Sequence, residues 1–331
     1  NTDAARQWVD SASRTSGASL RVLEAAVGFY RRAGRLDEAR ALVETYLKAN
    51  PDSVGPATLL EPTPADAAAV PVAIQGLADA LFDIASALHQ EGSDEVALVY
   101  GRMVLVLRPD HPLTHILVGD LLANRNHEAA AIEHYQAAAS SRLLSWTARL
   151  RITDSQQRLN QLEPASATLE AMAAEQPDRA DPLIRLGDLY RGDKRSEPAI
   201  AAYDRARQRL PTPLDARYWP LLYGRAVALD RAHQWDKAEA DLLQAIELSP
   251  DQPVLLNYLG YSWVDRGLNL DRARPMIEKA VALRPKDGYI IDSLGWALFK
   301  LKDFTGAVTR LEQAIALKPL DPTINDHLGD A

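Results

Sequence analysis

Leu186-Gly187-Asp188-Leu189-Tyr190, followed by Ala199 and Tyr203, is the stretch whose reading decides the fold. Its phases return along the chain. Ala39, Ala97, Ala131, Ala165, Ala199, Ala238, Ala273 and Ala307 mark one spot in eight units, and from Ala97 to Ala199 the step is always 34 residues. Twelve residues after most of these alanines stands a proline: Pro51, Pro109, Pro177, Pro211, Pro250, Pro285 and Pro319. Twelve residues before them stands a small residue in several units, among them Ala85, Gly119, Gly187, Ala226 and Gly295. A fixed period of this length with small residues at fixed phases predicts an array of helical repeats.

The unit 288–321 shows why. Ile291, Leu294, Leu298 and Leu301 fall on one face of a first helix, and Ala307, Val308, Leu311, Ala314 and Ile315 form the matching stripe of a second. Lys302-Asp303 reads as a short polar turn between them, a role that Gly34 and Gly267 take in other units. Small residues at Gly295 and Ala307 allow two helix axes to approach closely. The terminal proline stops the second helix, because it lacks an amide proton and disfavours a helical residue before it. A hairpin of this kind cannot bury its apolar stripe alone, so stability comes from stacking on neighbours.

These positions resemble the tetratricopeptide repeat (TPR) family over nearly the whole chain. The units are 20–53, 78–111, 112–145, 146–179, 180–213, 219–252, 253–287 and 288–321, with a partial unit at 322–331. The resemblance implies an all-α TPR solenoid, a right-handed superhelix of stacked antiparallel helix pairs, with about eight full repeats and partial repeats at both ends. Leu143 replaces a terminal proline, Thr153 replaces a small residue and 214–218 are inserted, which marks a diverged array. In 1–19, Ala5, Val9 and Ala12 have the spacing of the second helix of an upstream repeat. Both ends read as incomplete. A truncated chain is one explanation, and an open end that docks another subunit as a homo-oligomer is the other.

Residues 54–77 interrupt the array with Pro56, Pro62, Pro64 and Pro71 among alanines. The stretch reads as a long connection with a short extra helix near Val72–Leu77, serving as a flexible bridge or a binding loop.

Composition narrows the function. The net charge is −8, and no Lys and Arg cluster recurs along one face, which argues against nucleic acid. No apolar run is long enough to span a bilayer; Met103–Leu107 is short and amphipathic. With zero cysteines the span has no disulfide, no thiolate chemistry and no lipid-bearing cysteine. His111 and His115 have a spacing that can place two imidazoles on one helix face, yet Pro112 between them starts a helix and leaves His111 in the preceding turn. There is no Gly-rich phosphate loop, nucleophile elbow or zinc signature. The expectation is a chain without catalysis, cofactor or metal.

Binding remains. The TPR resemblance implies that the first helix of each unit lines a concave groove through its second, fifth, ninth and twelfth positions. Asp120, Asp154 and Asp188 occupy the ninth position of three successive units. They read either as an acidic track for a basic or amide-rich segment or as structural hydrogen-bonding groups. Tyr223, Asn257, Tyr261, Asp292, Trp296, Phe299 and Asp326 fall at groove phases of the last units. Aromatic side chains supply apolar area at low entropy cost, and Asn or Asp pairs with a peptide backbone, so this neighbourhood reads as a protein or peptide site. Packing of Tyr261 or Trp296 against the next helix is the competing reading; Trp235 and Trp263 are assigned to core or turn packing. The groove lacks the Lys and Arg with which some relatives clamp an acidic carboxyl terminus.

The runs Asn257–Gly267, Asp287–Trp296 and Ile324–Asp330 look like a narrower group, the envelope TPR proteins of proteobacteria. That group includes outer-membrane lipoproteins acting as adaptors for carboxyl-terminal processing proteases. The resemblance implies a periplasmic or outer-membrane-associated scaffold for such a protease, with any lipid-anchoring cysteine upstream of Asn1. An assembly factor for envelope polysaccharide or outer-membrane machinery, and a regulatory region of a larger enzyme, are the alternatives.

Overall fold

The computed structural model describes residues 20–51, 53–61 and 73–331. Among them are seventeen α-helices and no strand, divided between two compact units, 1–175 and 176–331. The first holds four antiparallel hairpins: α1 (Leu20–Arg32) with α2 (Leu36–Ala49), α3 (Ala73–Gln90) with α4 (Asp94–Leu107), α5 (Pro112–Ala123) with α6 (Glu128–Ala139), and α7 (Ser145–Arg158) with α8 (Leu162–Glu175). The second pairs α9 (Asp181–Gly192) with α10 (Ser196–Gln208), α11 (Trp219–Arg231) with α12 (Trp235–Leu248), α13 (Pro253–Arg266) with α14 (Leu270–Leu283), and α15 (Gly288–Lys300) with α16 (Phe304–Leu317), and ends in α17 (Pro322–Asp330). The helix read in 1–19 lies outside the described residues.

A left-handed residue turns the chain in each hairpin: Gly34, Gly92, Asn126, Asn160, Lys194, His233, Gly267 and Lys302, with φ between 56° and 77°. The turn between α13 and α14 holds a second, Asn269, at φ 44°. Glycine and asparagine adopt this conformation at little cost, whereas Lys and His meet their own Cβ there.

Prolines stop the second helices as their chemistry requires. Asn50, Arg108, Ser249, Arg284 and Lys318 each precede a proline, and each leaves the helical region for φ between −130° and −147°. Where Leu143 stands in place of the proline, Ser140 caps α6 while still near helical angles, φ −66° and ψ −23°.

The repeat alanines are the pinch points of the core: all eight, from Ala39 to Ala307, are 0% exposed. Opposite Gly295, an added Cβ would sit 2.5 Å from Leu311 Cγ. Contact that close leaves no room for a methyl group, so the glycine sets the separation of α15 and α16.

The insertion differs from its expected form. Among the described residues, 73–77 form no separate short helix; α3 begins at Ala73 and runs unbroken for 18 residues. Residues Gly55–Leu60 form a 3₁₀ turn, with Leu59 and Leu60 packed on the first hairpin and Arg31 donating to the Leu59 carbonyl at 2.7 Å. Gly55 rests on the Leu143 carbonyl, which lies 1.6 Å from where a Cβ would be.

Lys302→Gly removes the left-handed penalty in the last hairpin and should stabilise the second unit by about 0.5–1 kcal/mol. Thermal melting monitored at the helical band checks this; a lowered midpoint would show that the lysine side chain contributes more than its backbone costs.

Candidate functional site

Glycine, aspartate and tyrosine act as one device in two hairpins. A Cβ on Gly119 would lie 2.4 Å from Tyr135 Cε1, and one on Gly187 2.5 Å from Tyr203 Cε1. Each ring lies over its glycine, so each hydroxyl reaches the following residue. Tyr135 donates to Asp120 at 2.8 Å and Tyr203 to Asp188 at 2.7 Å. Burial and these carboxylates push both phenols far above their ordinary range.

Arginines complete the pairing. Arg151 meets Asp120 at 2.8 Å, and Arg191 meets Asp188 at 3.0 Å. Asp154 lines a cleft of about 260 Å³ in the first unit together with Asp120, Arg151 and Arg158. The residues read as an acidic ladder therefore sit among counter-charges, with Asp120 and Asp154 in the first unit and Asp188 in the second.

The second unit gathers the aromatic residues of α13, α15 and α17. Asp292 is buried and accepts from His327 Nδ1 at 2.9 Å. Burial nevertheless raises its carboxyl above the usual range, which the histidine only partly offsets. His327 stacks on Trp296 with centroids 4.2 Å apart, and Trp296 stacks on Phe299 at 5.1 Å. Phe304 meets Phe299 edge-on at 5.7 Å, and the Lys300 ammonium lies 4.9 Å from the Trp296 ring. Tyr261 is half-buried; burial first, then the nearby Asp265 and Asp292, raise its phenol.

Two polar atoms in this neighbourhood are buried without a hydrogen-bond partner: Asn257 Oδ1 and Trp296 Nε1. Tyr223 packs edge-on against Tyr258 at 5.6 Å, and Tyr258 donates to Asp230 at 2.9 Å. Asp326 is exposed on α17, outside the ring stack. His327, Phe304 and Tyr258 join these networks although their sequence phases gave no signal, because each reaches its partner across a helix boundary. Trp263 is fully buried and donates to Glu239 at 2.5 Å, and Arg266 covers the Trp235 ring at 4.1 Å.

The histidines separate as Pro112 requires. His111 caps α5, its Nδ1 accepting from the Thr114 amide at 3.2 Å. His115 turns instead to His134, Nδ1 to Nδ1 at 2.9 Å, while its Nε2 donates to the Pro109 carbonyl at 2.8 Å. That second bond leaves His115 Nδ1 as the acceptor and His134 as the donor. Among the described residues no three His, Asp or Glu side chains converge as a metal set. No described helix is long and apolar enough to cross a membrane.

Hairpins of this build, stacked through invariantly small contact points, define a TPR solenoid. No protein-family model matches the chain. A TPR repeat-containing protein of Pseudomonas aeruginosa is 30% identical over 188 residues, which is 56% of this chain and 31% of that protein. The chain thus matches about a third of the length of that curated relative. Among solved structures, the Cut9–Hcn1 hetero-tetramer of the APC/C superposes with a TM-score of 0.59 at 15% identity, over 98% of this chain and 58% of that one. A TPR protein from Parabacteroides merdae also reaches 0.59, at 16% identity over 76% of this chain and 98% of its own. At these identities the two structures speak to the fold.

Burial holds His111 and His134 below their ordinary value of 6.5. Below that pH the unfolded chain takes up protons that the folded chain excludes, so the stability present at neutral pH is lost on acidification. Melting temperature should fall between about pH 7 and about pH 5, and His134→Gln should flatten part of that slope. Equal slopes for parent and variant would remove His134 from the account.

Proposed function

We propose that the chain is a non-catalytic scaffold whose second unit binds an extended segment of a protein partner along Asn257, Tyr261, Trp296 and Phe299. The observation that carries this is the pair of unspent polar atoms, Asn257 Oδ1 and Trp296 Nε1. One accepts and the other donates, the two functions that a peptide backbone offers in return. Both atoms are buried in this conformation, so a ligand reaches them as the two side chains turn, and pairing then recovers the cost of each unpartnered buried atom, about 1–3 kcal/mol. The aromatic stack beside them supplies apolar contact of the kind that dominates binding energies.

In its most concrete form the partner is a carboxyl-terminal processing protease of the bacterial envelope. The runs 257–267, 287–296 and 324–330 support this through their likeness to adaptor lipoproteins, and a TPR relative in Pseudomonas aeruginosa is consistent with it. The location that follows is periplasmic or outer-membrane-associated.

Binding of a purified processing protease by anisotropy tests the reading. Trp296→Ala is a poor probe, because it removes the ring on which His327 of α17 stacks. Trp296→Phe keeps a ring and deletes only the indole N–H; with Asn257→Ala it should weaken binding about tenfold, the equivalent of one good hydrogen bond. Tyr261→Ala should cost at least as much. If the protease binds all three variants as it binds the parent, the groove assignment falls. If it binds none of them, parent included, while an envelope protein is held in an Asn257-dependent way, the protease identity falls and the groove stands.

A further inference from the structure

Among the described residues of the first unit, one stacking surface is left uncovered. The third, seventh and tenth positions of a first helix are where the preceding hairpin packs. In α5 they are Thr114, Val118 and Leu121, each 0% exposed, with α4 so close that a Cβ on Gly101 would lie 2.8 Å from Val118 Cγ2. In α15 they are Ile290, Leu294 and Ala297, none more than 5% exposed. In α3 they are Ala80, Ile84 and Ala87, and all three are exposed.

The hairpin that precedes α3 in the chain is engaged elsewhere. Arg21 of α1 pairs with Asp79 at 3.6 Å and Asp83 at 2.5 Å, along the rim of the face rather than over it. The 3₁₀ turn that follows is held by Leu143 and by an ion pair between Glu61 and Arg142. α4 extends the open surface. Leu98 and Leu105 turn toward α5, while Val96, Val99, Met103 and Val106 face away, Val106 at 81% exposure. Monomeric proteins rarely leave so continuous an apolar face in water.

We propose that this face is a dimer interface, covered by the same face of a second copy. Three observations favour a second copy over another partner. The α3 positions are those at which this chain stacks hairpin on hairpin in α5 and α15, and α4 adds apolar side chains where other second helices carry polar or small ones, such as Glu133, Thr309 and Gln313. The charges at its rim are already neutralised, Asp83 by Arg21 and Glu95 by Arg125 at 3.6 Å, so no oppositely charged partner is selected. The apolar spacing on α4 is palindromic: 96, 99, 103 and 106 read the same in both directions. A two-fold axis between antiparallel α4 helices sets Val99 opposite Met103 and Val96 opposite Val106, the self-complementary pattern that an isologous contact requires. α3 is about 27 Å long at 1.5 Å per residue. Two helices of that length bury on the order of 1,000 Å² across both copies, the lower bound for a specific interface.

Sedimentation velocity from about 1 to about 100 µM provides the test, since self-association rises with concentration. The parent should shift from monomer to dimer, and Val99→Glu with Met103→Glu should weaken the dimer more than about tenfold. Circular dichroism checks that the glutamate variant stays folded. A second variant avoids charge altogether: in this cysteine-free chain, Val99→Cys with Met103→Cys should form an intermolecular disulfide under mild oxidation. A parent that stays monomeric throughout, a dimer unaffected by the glutamates, or a cysteine pair that never crosslinks overturns the proposal. So does a monomer that binds phosphatidylcholine vesicles through Val99 and Met103, which would assign the face to a lipid surface.

Discussion

Each hairpin closes where a side chain of one carbon or none meets the helix across from it. The eight repeat alanines are wholly buried, and Gly119, Gly187 and Gly295 leave no space for a Cβ against Tyr135, Tyr203 and Leu311. Helices held that close present their remaining stripes at fixed angles, so neighbouring hairpins can stack and bury what one hairpin cannot. The left-handed turn residues and the prolines that end the second helices follow from the same need, to return the chain at a set length. Whatever this protein binds is presented on a frame set by those contacts.

The Gly–Asp–Tyr device shows packing and polarity solved together. A tyrosine laid over a glycine carries its hydroxyl to the edge of the core, where an aspartate one residue on accepts it and an arginine balances the charge. The phenol is thereby satisfied at a depth where an unpaired hydroxyl would be costly. The aspartates do structural work in these two hairpins, each carboxylate turned to a phenol and a guanidinium of the chain.

The Asn257–Trp296 neighbourhood has the opposite character. Its ring stack is complete, from His327 through Trp296 to Phe304, but two of its polar atoms remain unpaired. The open face of α3 and α4 is likewise apolar surface that no described residue covers. Local departures of this kind, where a polar group or an apolar face goes without its usual partner, are where function concentrates.

The sequence by itself determined the period, the hairpin and its end points. Alanine, glycine and proline act through their own backbones and volumes, so their meaning is local and survives without coordinates. It also placed Tyr261, Asp292 and Trp296 at related phases. What tertiary structure alone decided is which of these groups are spent. Asp120 is paired with Tyr135 fifteen residues on and Arg151 thirty-one on, His115 turns to His134 rather than His111, and Asp292 finds His327 in the next repeat. The insertion at 54–77 was legible as an interruption, yet its consequence, an uncovered α3, was not. Pairing and cover depend on distances between residues far apart in the chain, and a repeat pattern records each unit's own phases but not what its neighbours have already used.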